Sequence, residues 1–253
     1  MYSFVYSPLE QFQIIKLVSF SLGSFDFSFT NSSLLALLTI LISFFFFTAS
    51  NHKARLVPFP MQTIVEGIYS FVFTLATENI RKHGQALFPL IFTLFSFIFF
   101  VNLVGMVPYS FTVTSHLIVT FSISLAVFTA INIIGIRIHG IAFLGLFLPG
   151  GCPLPMAPFL VLIELVSYLS RVFSLAIRLF ANMMAGHTLL KILAGFSWSM
   201  FTNGQSVTLM LLHFLPFLVI VPILGLELGV AFLQAYVFTV LSCIYFNDAI
   251  SLH

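Results

Sequence analysis

Charge is what this chain has least of. Nine Lys and Arg and seven Asp and Glu stand among 253 residues, 6% of the chain, where a soluble domain carries about 25%. So little surface for water excludes an ordinary soluble fold, and the 60% of hydrophobic residues make the chain an integral membrane protein. A net charge of +2 is too small to recruit a nucleic acid. Cysteine is rarer still. Cys152 and Cys243 stand far apart, match no metal or redox spacing, and read as apolar filler, so no metal or other cofactor is expected. No Gly-x-x-x-x-Gly-Lys-Ser/Thr loop occurs, so direct nucleotide binding is not expected. No Arg-rich, acid-poor leader and no signal-type segment precedes the first apolar run.

Phenylalanine is abundant instead. The 34 Phe read as filler for a lipid-facing surface. The gaps between charges then mark the spans. No Asp, Glu, Lys or Arg occurs from Phe27 to His52, from His83 to Ile136, or from Ile192 to Leu226. About 20 apolar residues cross a bilayer, which predicts one span near 32–50 and a pair near 86–107 and 116–137, turning around Val107-Pro108-Tyr109. Between them, Gln62, Glu66, Ser70, Thr74, Glu78 and Arg81 recur every three or four residues against Ile, Val, Tyr and Phe. That pattern predicts an amphipathic helix over 61–82, lying on the membrane rather than crossing it.

A Gly/Pro cluster from Gly140 to Pro158 cannot continue a helix. Beyond it no Pro appears from Phe159 to Phe214, and Gly195 to Gln205 is the weakest stretch, which predicts a hairpin of two helices near 158–196 and 205–246. Each would be about twice as long as the ~30 Å hydrocarbon core is thick. Almost no charge exists to solvate the surplus, so both helices tilt steeply or break, and Pro216 and Pro222 are the places to bend. The expected fold is all-α: about five transmembrane helices, one interfacial helix and a long tilted C-terminal hairpin. The expected organisation is one membrane domain over 1–253, with an N-terminal segment (1–31), peripheral helices (32–137), a Gly/Pro loop (138–157) and the hairpin (158–253). Lys53, Arg55, Arg81, Lys82 and Arg137 fall on one side, which the positive-inside rule puts inside, leaving the N-terminus outside and the C-terminus inside.

Arg178 lies within the first hairpin helix. An Arg cannot shed its proton, and at the bilayer centre it costs at least ~2.5–3.5 kcal/mol. No acid stands three or four residues away, so its counter-charge comes from the partner helix or another chain. Glu164, Arg171 and Arg178 are seven apart and share a face; Ser167, Ser174 and Asn182 fall on the same stripe, extended by Ala181 and Ala185. His187 lies nine residues past Arg178, half a turn round and about 13 Å further along the axis. On the second helix Glu227 and Gln234 are again seven apart, and an antiparallel hairpin brings Glu227 within reach of His187. Plainer readings stand beside these. Glu164 and Arg171 serve equally as an interfacial ion pair, His187 alone as a hydrogen-bonded interior side chain, and Gln234, Asn102 and Asn132 as helix-packing contacts. Lys191 reads as a side chain reaching for the outer interface.

These residues resemble the a subunit of F-type ATP synthase, its mitochondrial branch in particular. The resemblance is carried by Ser174-Leu-Ala-Ile-Arg178-Leu-Phe-Ala-Asn182-Met-Met-Ala-Gly-His187, by Glu227 followed by Gln234-Ala-Tyr, and by Glu164-Leu-Val-Ser-Tyr-Leu-Ser-Arg171. It extends over nearly the whole chain, including Ser7-Pro-Leu-Glu-Gln-Phe. Its Arg-Leu-Phe-x-Asn-Met-x-Ala-Gly core is highly specific. His at 187 with Glu at 227 is the mitochondrial arrangement, which many bacterial members have the other way round. Ala181, where many relatives have Gly, is an expected neutral departure.

The resemblance implies a stator subunit facing a rotating ring of c subunits in the mitochondrial inner membrane. The N-terminus would lie in the intermembrane space and the C-terminus in the matrix. Arg178 would face the ring, with Asn182 orienting its surroundings. His187, Glu227 and Gln234 would line an outer proton half-channel, and Glu164 with Ser167 an inner one, on the stripe that Ser174 shares. Expected partners are the c ring, peripheral-stalk and other membrane-sector subunits, lipids and protons. Catalysis would lie in a separate soluble sector, not in this chain. Two rivals remain at this point. One is a self-contained transporter or proton channel, for which no internal repeat is present. The other is a scaffold subunit of a respiratory complex, with Arg178 in a structural ion pair.

Overall fold

A computed structural model describes residues 7–22, 25–51, 54–80, 84–107, 110–147, 156–203 and 214–251. Among them, six helices follow one another: α1 (Asn31–Asn51), α2 (Pro60–Asn79), α3 (Gly84–Gly105), α4 (Leu117–His139), α5 (Ala157–Asn203) and α6 (Phe214–Ile250). Five of them, all but α2, are long and apolar enough to cross a membrane. The charge gaps thus located α1, α3 and α4 to within a few residues. The Pro108-Tyr109 turn, residues 148–155 of the Gly/Pro cluster, and Lys53, Arg81 and Lys82 lie outside the described residues.

The expectation for the hairpin needs one correction. Its first helix does not stop near 196 but runs on to Asn203, while the second is described from Phe214 to Ile250 and its expected start at 205 lies outside the described residues. The polar stretch fails to end the helix because its hydroxyls turn back onto the helix itself. Ser199 donates to the Phe196 carbonyl (2.9 Å) and Thr202 to the Trp198 carbonyl (3.0 Å), which satisfies them without water. Pro158 falls in the first turn of α5, where its missing N–H costs nothing. Pro222 lies inside α6, which continues past it. Helices of 47 and 37 residues measure about 70 and 56 Å, so keeping both within a ~30 Å core demands a tilt of about 60°.

One core joins these elements. Ile91, Phe95 and Ile98 of α3 meet Val72 and Ala76 of α2, Val127 and Ile131 of α4, Leu175 and Leu179 of α5, and Phe238 and Phe246 of α6. On α5 the buried hydrophobic residues are Val172, Leu175, Ala176, Leu179 and Met183, one stripe at helical spacing. The amphipathic α2 inserts Val72, Leu75 and Ala76 and leaves Glu66, Ser70, Thr74 and Glu78 exposed. The phenylalanines prove to have two uses. Phe44 and Phe45 point outward, as a lipid-facing filler should, whereas Phe46 and Phe47 pack edge-on against Phe100 and hold α1 to α3.

Polar side chains inside the bundle fasten helices to one another. Asn102, fully buried on α3, donates to the Ala231 carbonyl of α6 (3.4 Å) and accepts from Thr114 (3.3 Å). Asn132 of α4 accepts from the Tyr168 hydroxyl of α5 (2.7 Å). Both asparagines are therefore interhelical contacts. Gly140, at φ +57°, ends α4 in a conformation that suits glycine. Ahead of α1 stand four short strands that the all-helical expectation left out: β1 (Lys16–Val18) paired with β4 (Phe29–Thr30), and β2 (Ser21–Leu22) with β3 (Phe25–Asp26), all antiparallel.

Candidate functional site

Three contacts set α5 and α6 antiparallel and in register. His187 Nδ1 lies 3.4 Å from Glu227 Oε1, Asn182 donates to Gln234 Oε1 at 2.8 Å, and Arg171 lies 3.7 Å from Asp248. Ascending numbers on one helix meet descending numbers on the other, so polar residues spaced along both form successive rungs.

The first rung is the His187 and Glu227 pair, both largely shielded, with Glu227 deeper. Gly186 makes it possible. A Cβ there would stand 2.7 Å from Glu227 Oε1 and 3.1 Å from its carboxyl carbon, so only glycine lets the carboxylate lie against α5. Both carboxylate oxygens of Glu227, and His187 Nε2, are buried without a hydrogen-bond partner among the described residues. Buried polar atoms of this kind are costly and need a reason. We predict that Gly186→Ala pushes the Glu227 carboxylate away from His187. Misplacement on the ångström scale lowers any rate depending on the pair by roughly ten- to a hundredfold. The separation of the two side chains in the variant's structure tests the displacement, and an unchanged 3.4 Å would refute it.

The middle rung joins Asn182 to buried Gln234. One turn away is Arg178, half-buried. Its only hydrogen bond among the described residues runs from Nη2 to Ser174 Oγ at 3.5 Å, and no carboxylate pairs with it. Beside it Ser174, Ala181, Asn182 and Ala185 are exposed. Small side chains at helical spacing leave a stripe that another helix can approach closely.

The third rung is ionic. Arg171 reaches Glu164 Oε1 on its own helix (3.9 Å) and Asp248 Oδ2 on α6 (3.7 Å), and its guanidinium lies over Tyr245 (5.1 Å) and near Tyr168 (5.8 Å). Glu164 and Arg171 thus form the ion pair that their spacing allowed, with an added acid across the hairpin. Ser167 shares their stripe, and its carbonyl accepts from the Ser170 hydroxyl (2.8 Å). Asp248 is the residue that sequence reasoning missed. It stands 21 residues beyond Glu227, three heptads along the same face, and that spacing was its available signal.

What these rungs define is a polytopic membrane protein with ionisable groups strung along its two longest helices. The comparisons give the family. The model for the ATP synthase A chain matches residues 32–247. ATP synthase subunit a of Marchantia polymorpha is 53% identical over 98% of this chain and 99% of its own length. The subunit a of Chondrus crispus is 47% identical, and that of Brassica napus 50%, each over 98% of this chain and 97% of the relative. This chain belongs to the ATP synthase A chain family.

Proposed function

We propose that this chain is the stator proton-channel subunit of a rotary F-type ATP synthase in the mitochondrial inner membrane. It supplies two offset half-channels that load and unload protons on the carboxylates of a c-subunit ring, and so couples proton flow to rotation. Family membership makes it a component of the synthase membrane sector. The observation that carries the finer reading is Arg178, a permanent cation in a membrane helix with no acidic partner among the described residues, beside an open stripe of small side chains. A charge kept at that cost has its counter-charge on another chain.

A carboxylate on a passing ring helix fits both the charge and the space. At ~4 Å and an effective dielectric of about 20, unit charges attract by roughly 4 kcal/mol before desolvation, enough to hold that carboxylate ionised while it faces Arg178. On one side His187, Glu227 and Gln234 relay protons, since imidazole and carboxylate groups exchange protons readily. The unpartnered oxygens of Glu227 and Nε2 of His187 are the groups a hydrated path would meet. On the other side Glu164, with Asp248 held near it by Arg171, accepts protons leaving the ring. Arg178 separates the two, repelling protons from a direct route and keeping a protonated ring site from moving backwards. Asn182 and Gln234 brace the junction. Each proton crossing 100 mV releases about 2.3 kcal/mol. The ring turns that energy into torque for a separate catalytic sector, and the peripheral stalk holds this chain still against it.

Cross-linking tests the face. A cysteine at Ala185, on the open stripe, is expected to form a disulfide with a cysteine one turn from the ring carboxylate, whereas a cysteine at Phe45 of α1 is not. Cross-linking from position 45 but never from 185 would place the ring elsewhere and defeat the proposal.

A further inference from the structure

The segment ahead of α1 has a pattern that proton transport does not use. From Val18 to Thr30 apolar and polar residues alternate in each strand: Val18, Phe20, Leu22 and then Phe25, Phe27, Phe29 are apolar, while Ser19, Ser21 and then Ser24, Asp26, Ser28, Thr30 are polar. The pairing keeps the two sets apart. Val18 lies opposite Phe29, Leu22 opposite Phe25, and Ser21 opposite Asp26, while the Phe27 amide donates to the Phe20 carbonyl at 2.8 Å. Residues directly opposite, and residues two apart on a strand, share a face. Val18, Phe20, Phe27 and Phe29 therefore share one face, and the other carries Ser19, Ser28 and Asp26, whose charge is balanced by Lys16.

The apolar face is open. Val18, Phe20 and Phe27 are 61%, 57% and 67% exposed. Its position is fixed by the end of a membrane span. Asn31, the first residue of α1, donates its backbone N–H to the Ile15 carbonyl (3.1 Å), accepts from the Ile15 amide through Oδ1 (3.2 Å), and donates through Nδ2 to the Gln13 carbonyl (3.1 Å). With three bonds to the first residue of a 21-residue helix, the hairpin cannot drift away from the membrane boundary where that helix begins. The exposed face also runs on in sequence into the outward-facing Leu34, Leu37 and Leu38 of α1. The hairpin's paired strands satisfy much of its backbone internally, as partial immersion in lipid requires.

We propose that this hairpin is an interfacial membrane anchor, its Val18, Phe20, Phe27 and Phe29 face seated among phospholipid acyl chains just below the headgroups and its serine face turned to water. It is the strand counterpart of an amphipathic interfacial helix. It pins the start of α1, the helix least covered by the rest of the chain, at a fixed depth.

The test uses the assembled complex in lipid nanodiscs, with Cys152 and Cys243 replaced. Spin labels are placed singly at Phe20 and Phe27, and at Ser19 and Ser28. Relaxation by oxygen, which concentrates in lipid, is compared with relaxation by a water-soluble nickel chelate. The proposal expects a severalfold higher oxygen-to-nickel ratio at 20 and 27 than at 19 and 28. Equal ratios with free access for nickel would place the hairpin in water. Exclusion of both reagents at 20 and 27 would mean that another protein chain covers the face. Either result overturns the proposal. A phospholipid carrying a photoreactive group high on its acyl chain gives a second measurement on the unaltered chain. Adducts are expected at Val18, Phe20, Phe27 and Phe29, and labelling of Leu34 and Leu37 with none in the hairpin would refute the anchor.

Discussion

Replacing Arg178 with lysine is expected to abolish coupled proton pumping while the complex assembles normally. The two side chains carry the same charge in water, so the prediction depends on what a membrane interior does to each. A guanidinium stays protonated under any accessible condition, whereas a desolvated ammonium can release its proton. A lysine at 178 would hand its proton to an approaching ring carboxylate, and both would become neutral. The barrier between the half-channels and the force that keeps the ring site ionised would vanish together. Arg178 donates to Ser174 and has no acidic partner among the described residues, so no internal ion pair would hold the lysine charged. We expect at least about a hundredfold loss of ATP-driven pumping, the equivalent of ~2.7 kcal/mol. A lysine variant that pumps at the wild-type rate would overturn the electrostatic argument, since geometry alone would then suffice.

Exchanging the members of the first rung is the second large effect. His187→Glu and Glu227→His each leave like groups facing across 3.4 Å, two carboxylates in one case and two imidazoles in the other. Each is expected to lower pumping severely. The double exchange restores one imidazole and one carboxylate with their helices reversed, and should pump better than either single variant, with a coupling of about 1–3 kcal/mol. Gly186 limits the recovery. It is the close approach of α5 that seats a side chain from position 227, and an imidazole is bulkier there than a carboxylate. Losses that simply add in the double variant would mean that His187 and Glu227 act separately, despite their contact.

The first, second and third spans, α1, α3 and α4, were legible because a bilayer punishes charge, so uncharged runs enclose nearly all of each. The pairing of 187 with 227 followed from spacing, and the structure adds 182 with 234 in the same antiparallel register. Three things were less legible. The end of α5 was misplaced because Ser199 and Thr202 look like a loop in sequence but bond back to their own helix. Asp248 was passed over because its partner, Arg171, already had an acid seven residues away, and only the folded hairpin brings the second acid across. The N-terminal strands alternate clearly from Val18 to Thr30, yet they stand in front of a much stronger apolar run. Arg178 is a different case. Its sequence context marks it as costly, and it has no acidic partner among the described residues, so the role proposed for it depends on a second protein.

The most direct test is ATP-driven proton pumping by the reconstituted complex carrying Arg178→Ala, with assembly checked alongside. The account predicts that an intact complex no longer pumps, because nothing separates the half-channels or holds the ring carboxylate ionised. Pumping preserved at the wild-type rate would make Arg178 a structural residue and contradict the account at its centre.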